Sequence, residues 1–251
     1  MTDRKVWIVT GSSRGLGRAI VEGLLERGEL VSATARKIGD LEGLKAQFGE
    51  LVSVAALDVT RPEEAKRVIG EAVQTFGRLD VVVNNAGYGV MGAFEEQTPE
   101  QFAGQIDVNF WGIVNVCRAV LPILRKQRSG HIMNVTSIGG RRARQGLSGY
   151  QTAKFAVEGF SEALFHELKA VDLKMTIVEP GGFRTDWAGA SMTITESMEE
   201  YEPAIGPFRE FMKRYAGAEP GDPVKAAGVL FAISRMSEPP MRLVLGKFAK
   251  Q

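Results

Sequence analysis

Tyr150 and Lys154 stand four residues apart in "YQTAKFAVEGFSEAL" (150–164), a stretch with helical patterning. Residues at that spacing share one helical face, so the ammonium can approach the phenol or a group held beside it. Just upstream, an apolar run ends in "NVTS" and delivers Ser137. A hydroxyl, a phenol and an ammonium are the groups a proton-transfer site needs, with the lysine tuning the tyrosine. A free tyrosine ionises at ~10, and lowering that by about two to three units takes roughly 3–4 kcal/mol. One cation at ~4 Å supplies about 4 kcal/mol at an effective dielectric of ~20, while desolvation of the phenolate opposes it. An isolated Y-x-x-x-K is commonly surface decoration. That reading leaves Ser137 unexplained.

A second chemical signal lies in "VTGSSRGLGRAI" (9–20), where Gly11, Gly15 and Gly17 are spaced G-x-x-x-G-x-G between a strand and a helix. Without β-carbons there, backbone amides can approach a pyrophosphate at the positive end of the helix. A plain turn is the bland alternative, but the strand-to-helix context favours dinucleotide binding. An acid ending the second strand would favour NAD, and an arginine would accommodate a 2′-phosphate. The chain reads "SATARKIGD", with Arg36 and Lys37 in place of the acid and no carboxylate before Asp40. Arg14, inside the glycine loop, could meet the same phosphate from the other side. A guanidinium fork suits a phosphate better than a point charge does. NADP(H) is the expected cofactor, with NAD(H) possible and two solvated arginines the alternative.

The elements that must carry these residues are legible as alternation. Apolar runs at 6–9, 30–35, 51–57, 80–83, 131–136, 174–179 and 242–245 read as strands covered on both faces. Thr60 with Glu63 reads as a capping box, as does Thr98 with Gln101, where Pro99 falls at the first helical position. Gly28 follows the first helix as a C-terminal stop. Strand–helix alternation gives an α/β fold: a single doubly wound Rossmann-type domain over 1–251, with a mostly parallel seven-stranded sheet and helices on both faces. From about 187 to 221 no strand is expected. Pro207 opens a helix there with Phe208, Phe211, Met212 and Tyr215 at helical spacing, and Gly217 stops it. Such an insertion sits at the carboxyl ends of the strands as a substrate loop or lid, or else adds core.

Bulk properties exclude several classes. The chain has 251 residues, 44% hydrophobic and 24% charged, and 31 Lys and Arg against 30 Asp and Glu give a net charge of +1. No field draws it to nucleic acid. Cys117 is the single cysteine, and His131 and His166 lack second ligands at metal spacing, so neither disulfide nor metal site is expected. No signal-peptide core precedes the first strand, and no stretch reads as long enough to cross a bilayer. A soluble protein of the reducing cytoplasm is the expectation.

With T-G-x-x-x-G-x-G (10–17), "NNAG" (84–87), "NVTS" (134–137), Y-x-x-x-K (150–154) and "PGGFRT" (180–185) in this order, the chain resembles the short-chain dehydrogenase/reductase family. Tyr150 follows Ser137 by thirteen positions, as in that family, and the likeness is nearest to hydroxysteroid- or retinol-dehydrogenase-like members. It runs from residue 5 to about 185 and then weakens. The resemblance implies a catalytic set of Asn109, Ser137, Tyr150 and Lys154, with Asn109 helping to hold a water beside the lysine. Taken alone, Asn109 is only a slightly unfavourable helix residue, by roughly half a kcal/mol. The implied cofactor residues are Gly11, Ser13, Arg14, Gly15, Leu16, Gly17, Arg36, Asp58 at the adenine, Val59, and Asn85, Ala86 and Gly87 along the ribose. Tyr150 and Lys154 join them, and Pro180, Gly181, Phe183 and Thr185 are implied to hold the nicotinamide.

The implied activity is an NADP(H)-dependent reductase of a carbonyl, or dehydrogenase of the matching alcohol. Tyr88, Val90, the 138–149 loop, Phe183 and the insertion would shape its pocket. Arg141, Arg142 and Arg144 in that loop make an acidic substrate conceivable, against the plainer reading of a solvated loop. Pairing through 100–127 and 149–170 would give a homodimer or homotetramer. Relatives with an "RLVLG" strand commonly continue into another helix, where this chain stops at "RLVLGKFAKQ". The competing readings are an NAD-linked alcohol dehydrogenase and a non-catalytic NADP(H) sensor or scaffold, the last of which could dispense with Ser137, Tyr150 and Lys154 together.

Overall fold

Four apolar residues in a row, "VWIV", can be satisfied only where both faces of a strand are covered. In the structure, a computed structural model that describes residues 4–189 and 191–246, these residues form β1 (Val6–Val9), with all four side chains at most 1% exposed. The other strands are β2 (Leu30–Ala35), β3 (Val52–Ala56), β4 (Val81–Asn84), β5 (Gly89–Met91), β6 (His131–Val135), β7 (Lys174–Pro180), β8 (Met192–Ile194) and β9 (Arg242–Leu245). Seven of them make one sheet in the order β3-β2-β1-β4-β6-β7-β9. Every pairing in it is parallel, where a mostly parallel sheet was expected.

The helices are α1 (Gly15–Leu25), α2 (Glu42–Phe48), α3 (Pro62–Phe76), α4 (Pro99–Ile106), α5 (Gly112–Gln127), α6 (Ser148–Leu168), α7 (Glu202–Tyr215) and α8 (Pro223–Ser234). Alternation along β1 sends Trp7 and Val9 into one core with α1 and α8, and Val6 and Ile8 into the other with α3, α5 and α6. The strand order reverses beside β1, between β2 and β4, and there the carboxyl ends of β1 and β4 part to open a crevice. Cys117 on α5 is buried against Asn84 and Asn134, and burial pushes its thiol up to about 12.

Four expectations change. Thr60 does not cap α3: Pro62 takes the first helical position, Arg61 becomes the N-cap, and the Thr60 hydroxyl donates instead to Asp58 Oδ1 at 2.7 Å. The insertion does contain a strand, for β8 pairs with β5 in a separate two-stranded parallel sheet. Its helix starts five residues before Pro207, at Glu202, with Pro203 in the first turn and Pro207 inside. Finally, α4, a π-helical turn over 107–111 and α5 run together from Pro99 to Gln127, a length and composition sufficient to cross a bilayer. One side of that helix is core, through Ile113, Val116, Cys117, Val120 and Leu124. Thr98, by contrast, forms its capping box as expected, accepting from Gln101 N and donating its own N–H to Gln101 Oε1. The end of "RLVLGKFAKQ" from 247 onward and residue 190 of the insertion lie outside the described residues.

Candidate active site

The glycine loop is built by close approach. A β-carbon on Gly17 would lie 2.3 Å from the Gly11 carbonyl oxygen and 2.4 Å from Asn85 Nδ2, so no side chain fits. The Asn85 amide donates to the carbonyls of Thr10 (3.0 Å) and Gly11 (3.1 Å), while Thr10 Oγ1 accepts from the backbone N–H groups of Asn85 and Ala86. "NNAG" therefore braces the loop from the next strand. Asn84 extends the brace, donating to Asn134 Oδ1, and Asn134 in turn donates to Ser161 Oγ. This cradle, open at the N-terminus of α1, fits the diphosphate of a dinucleotide.

One cavity of about 730 Å³ runs from this loop to the end of β6, and all the sequence-predicted cofactor and catalytic residues line it. Toward the glycine loop lie Arg14, Arg36 and Asp58. Asp58 Oδ1 accepts from the backbone and hydroxyl of Thr60. Burial works to raise its pKa, but those bonds and the charges of Arg61 and Arg36 outweigh it and hold the carboxyl below its usual range. At the far end, Ser137 leaves β6 and its hydroxyl accepts from Gly139 N at 3.0 Å, which fixes the serine at the head of a 3-10 turn.

Tyr150 and Lys154 occupy the first turns of α6, 6% and 3% exposed. The Lys154 ammonium donates to the Val135 carbonyl at 2.9 Å and stands 5.7 Å from the Tyr150 ring centre. The ammonium is therefore engaged by a backbone carbonyl at the strand end. Burial dominates and pushes Tyr150 up to about 12, against the lowering effect of Ser137. Burial likewise brings Lys154 down to about 8, against the charge of Glu158. The expected depression of the tyrosine is thus absent from the protein alone.

Asn109 lies in the π-helical turn, the type of widened turn that re-aims side chains at functional sites. Its amide donates to the carbonyls of Tyr88 (2.9 Å) and Gln105 (2.8 Å), and its oxygen accepts from Tyr88 N. A β-carbon on Gly87 would lie 2.5 Å from Asn109 Oδ1 and 3.6 Å from Lys154 Nζ, so the asparagine and the lysine meet across a bare backbone. Thr185 on the opposite wall faces Gly15 and caps a short turn by accepting from Trp187 N. Phe183 is bridged to Gly221, which ties "PGGFRT" to the end of the insertion.

Val90 is not part of the pocket: it is buried and donates its N–H to Gln105 Oε1. Of three further lining residues, Gln151 has no signal in the sequence, and Trp187 and Glu219 are covered there only as members of the insertion. Trp187 packs its ring 5.1 Å from that of Tyr150. Gln151 accepts from Arg144 N. Glu219 is buried, with Oε2 unpartnered among the described residues. Behind the cavity, Glu158 accepts from Thr136 Oγ1 at 2.6 Å; its place four residues after Lys154 was the available signal. No cluster of three metal-ligating side chains exists among the described residues.

The profile of a family described as short chain dehydrogenase matches residues 5–194. The chain is 46% identical over 243 residues to the oxidoreductase BOA17 of Botryotinia fuckeliana, covering 96% of this chain and 89% of that protein. It is 34% identical over 244 residues to a 3-ketodihydrosphingosine reductase of Bacteroides thetaiotaomicron, covering 96% and 88%. The crystal structure of a short-chain dehydrogenase from Streptomyces avermitilis superimposes with a TM-score of 0.90 at 37% identity, covering 98% of this chain and 90% of that one. Other solved proteins of the same fold carry NAD or NADP derivatives.

Proposed function

We propose, for a chain that belongs to the short-chain dehydrogenase/reductase family and is an oxidoreductase, that it reduces a carbonyl compound with NADPH and uses Tyr150 as the proton donor. The observation that carries this reading is one cavity holding a dinucleotide cradle at one end and Ser137, Tyr150 and Lys154 at the other. The cofactor would lie across Gly11, Gly15 and Gly17, with Asp58 and Val59 at the adenine and Pro180, Gly181, Phe183 and Thr185 at the nicotinamide. Arg36 and Arg14 would take the 2′-phosphate. When bound, the nicotinamide supplies the hydride.

The chain's own residues do the rest. Ser137, held by Gly139 N, donates its proton toward the substrate oxygen and fixes its position. Tyr150, whose buried phenol stays protonated through neutral pH, gives its proton to that oxygen as charge develops there. Lys154 stabilises the phenolate left behind, and Asn109 holds the backbone of Tyr88 beside it.

NADPH and NADH consumption against ketones, aldehydes, quinones and keto esters tests this, with wild type beside Tyr150→Phe and Arg36→Asp. Turnover with NADPH that is lost in Tyr150→Phe while NADPH still binds is the expected result, with Arg36→Asp moving preference toward NADH. Near-normal turnover in Tyr150→Phe would sink the assignment. We also propose a homodimer or homotetramer paired through α4–α5 and α6. Trp111 and Phe155 on those helices are 47% and 45% exposed in the single chain, the kind of apolar surface a second copy would cover.

A further inference from the structure

Three arginines follow Ser137 within seven residues, and the structure separates their roles. Arg141 turns away to Glu179, a 2% exposed carboxylate, at 3.1 Å. Arg142 and Arg144 line the cavity, and neither has an ion-pair partner among the described residues. Their backbone is fixed. Arg142 N donates to the Ile138 carbonyl at 3.1 Å, and Arg144 N donates to Gln151 Oε1 at 3.0 Å, one residue beyond Tyr150. The Arg141–Glu179 pair pins the start of the loop, and at its other end Gly146 packs against Ile205 and Phe208 of α7. The loop backbone is thus ordered ahead of any ligand, while both guanidinium groups are exposed and free to reach one.

The facing wall is apolar. Phe208, Phe211 and Tyr215 stack in succession along α7, with ring centres 6.3 and 5.0 Å apart and planes within 14° and 21° of parallel. All three line the cavity, and Phe211 is 50% exposed. Among the described residues that line the cavity, the carboxylates are Asp58, toward the glycine loop, and Glu219, near Tyr215. The local charge is therefore positive, set against a flat aromatic surface.

Resting on the proposed reductase reading, we infer that the physiological substrate is a carbonyl compound with an extended apolar body and an oxyanion, carboxylate or phosphate, bound by Arg142 and Arg144. Guanidinium forks bind such groups in a bidentate manner. Arg142 follows Ser137 by five positions across a 3-10 turn over 138–140, which places their α-carbons on the order of 10 Å apart. The anion therefore sits several bonds from the reacting carbonyl.

The test has two arms, both on protein saturated with NADP(H) so that Arg14 and Arg36 are engaged. In the binding arm, calorimetry compares 4-phenylbutyrate, 3-phenylpropyl phosphate and neutral 4-phenylbutyramide. The anions should bind at least about tenfold tighter than the amide, and Arg142→Gln/Arg144→Gln should erase that margin. Arg128→Gln, a remote surface change, should leave it intact, and the tighter of the two anions identifies the group. In the turnover arm, 4-benzoylbutyrate should exceed its methyl ester in kcat/KM in the wild type but not in the double variant. Equal affinity for amide and anions, or a margin that survives the double variant, overturns the inference. Tyr150-dependent turnover that shows no preference for the acid defeats this inference alone. Absence of any Tyr150-dependent turnover defeats the parent reading, and the binding arm still decides whether the anion site exists.

Discussion

Lys154 reaches past the phenol to the Val135 carbonyl, so its charge is held at the strand end rather than on Tyr150. What keeps that ammonium charged matters as much as where it points. Glu158 lies one helical turn on, and its charge opposes the burial that brings Lys154 down to about 8. Glu158 is itself raised by burial, against bonds from Thr136 and Arg242, with Glu179 close enough to add repulsion. Removing the Glu158 charge takes away support for protonated Lys154, so the lysine pKa must fall. In Glu158→Gln the alkaline limb of kcat/KM for carbonyl reduction should move to lower pH by about half a unit to one unit. A pH profile decides it: an unmoved limb, with only a scaled rate, would make Glu158 structural. Tyr150, Lys154, Ser137 and the glycines were legible because each needs a fixed residue type at a fixed spacing. Glu158 carried a signal of the same kind, four residues after Lys154 on one helix, whereas Trp187 and Glu219 meet the site only once the insertion has packed.

At the level of elements, the same contrast recurs. Continuous apolar runs announced the seven strands of the main sheet, whereas β8 is three residues whose pairing with β5 spans about a hundred residues of chain and leaves no local pattern. The start of α7 was misplaced because Pro207 reads as a beginning, although a proline inside a helix costs about 3 kcal/mol; packing of Ile205, Arg209 and Met212 overrides it. Arg209 is the pivot of that packing. It pairs with Glu96, whose side chain is fully buried, and with Glu202. Glu96 also accepts from Ala93 N, Met198 N and Thr195 Oγ1. Burial works to raise its pKa, yet these bonds together with Arg209 lower it. Glu96→Gln keeps the shape but leaves Arg209 short of a partner, and breaking a buried pair costs about 3–5 kcal/mol when nothing compensates. Because residues of the insertion line the cavity beside Tyr150, KM for carbonyl substrates should rise several-fold with little change in NADPH affinity if the proposed function holds, and cleavage by protease within 192–215 should quicken. An unchanged KM together with unchanged proteolysis would show that the pair does not hold the insertion in place.

For the molecule as a whole, the edge of acid stability should carry the mark of His131. Its ring is 2% exposed on β6, Nε2 meets Thr176 Oγ1 at 2.9 Å, and Nδ1 has no partner among the described residues. Burial, aided by Lys174 and Lys5, brings it from 6.5 down to about 3. Between those values the unfolded chain binds a proton that the folded one refuses, so stability falls as pH drops through that window and is unaffected by this residue above it. Urea midpoints measured from pH 7 to pH 4 should fall less steeply in His131→Asn than in wild type. Parallel slopes would show that the ring accepts a proton without unfolding.

The solitary thiol of Cys117 gives the molecule a clock. Sealed between α5 and the sheet and pushed up to about 12, it can meet an aromatic disulfide reagent only when that helix lifts away, so the rate of colour release counts openings of the core. A bound dinucleotide adds RT ln(1 + [L]/Kd) to the work of opening, about 2.7 kcal/mol at a hundredfold excess over Kd, if the opened state does not hold it. NADPH at that level should slow the clock by about a hundredfold and NADH at equal concentration by less. Cofactor choice could then be read without a substrate ever being found.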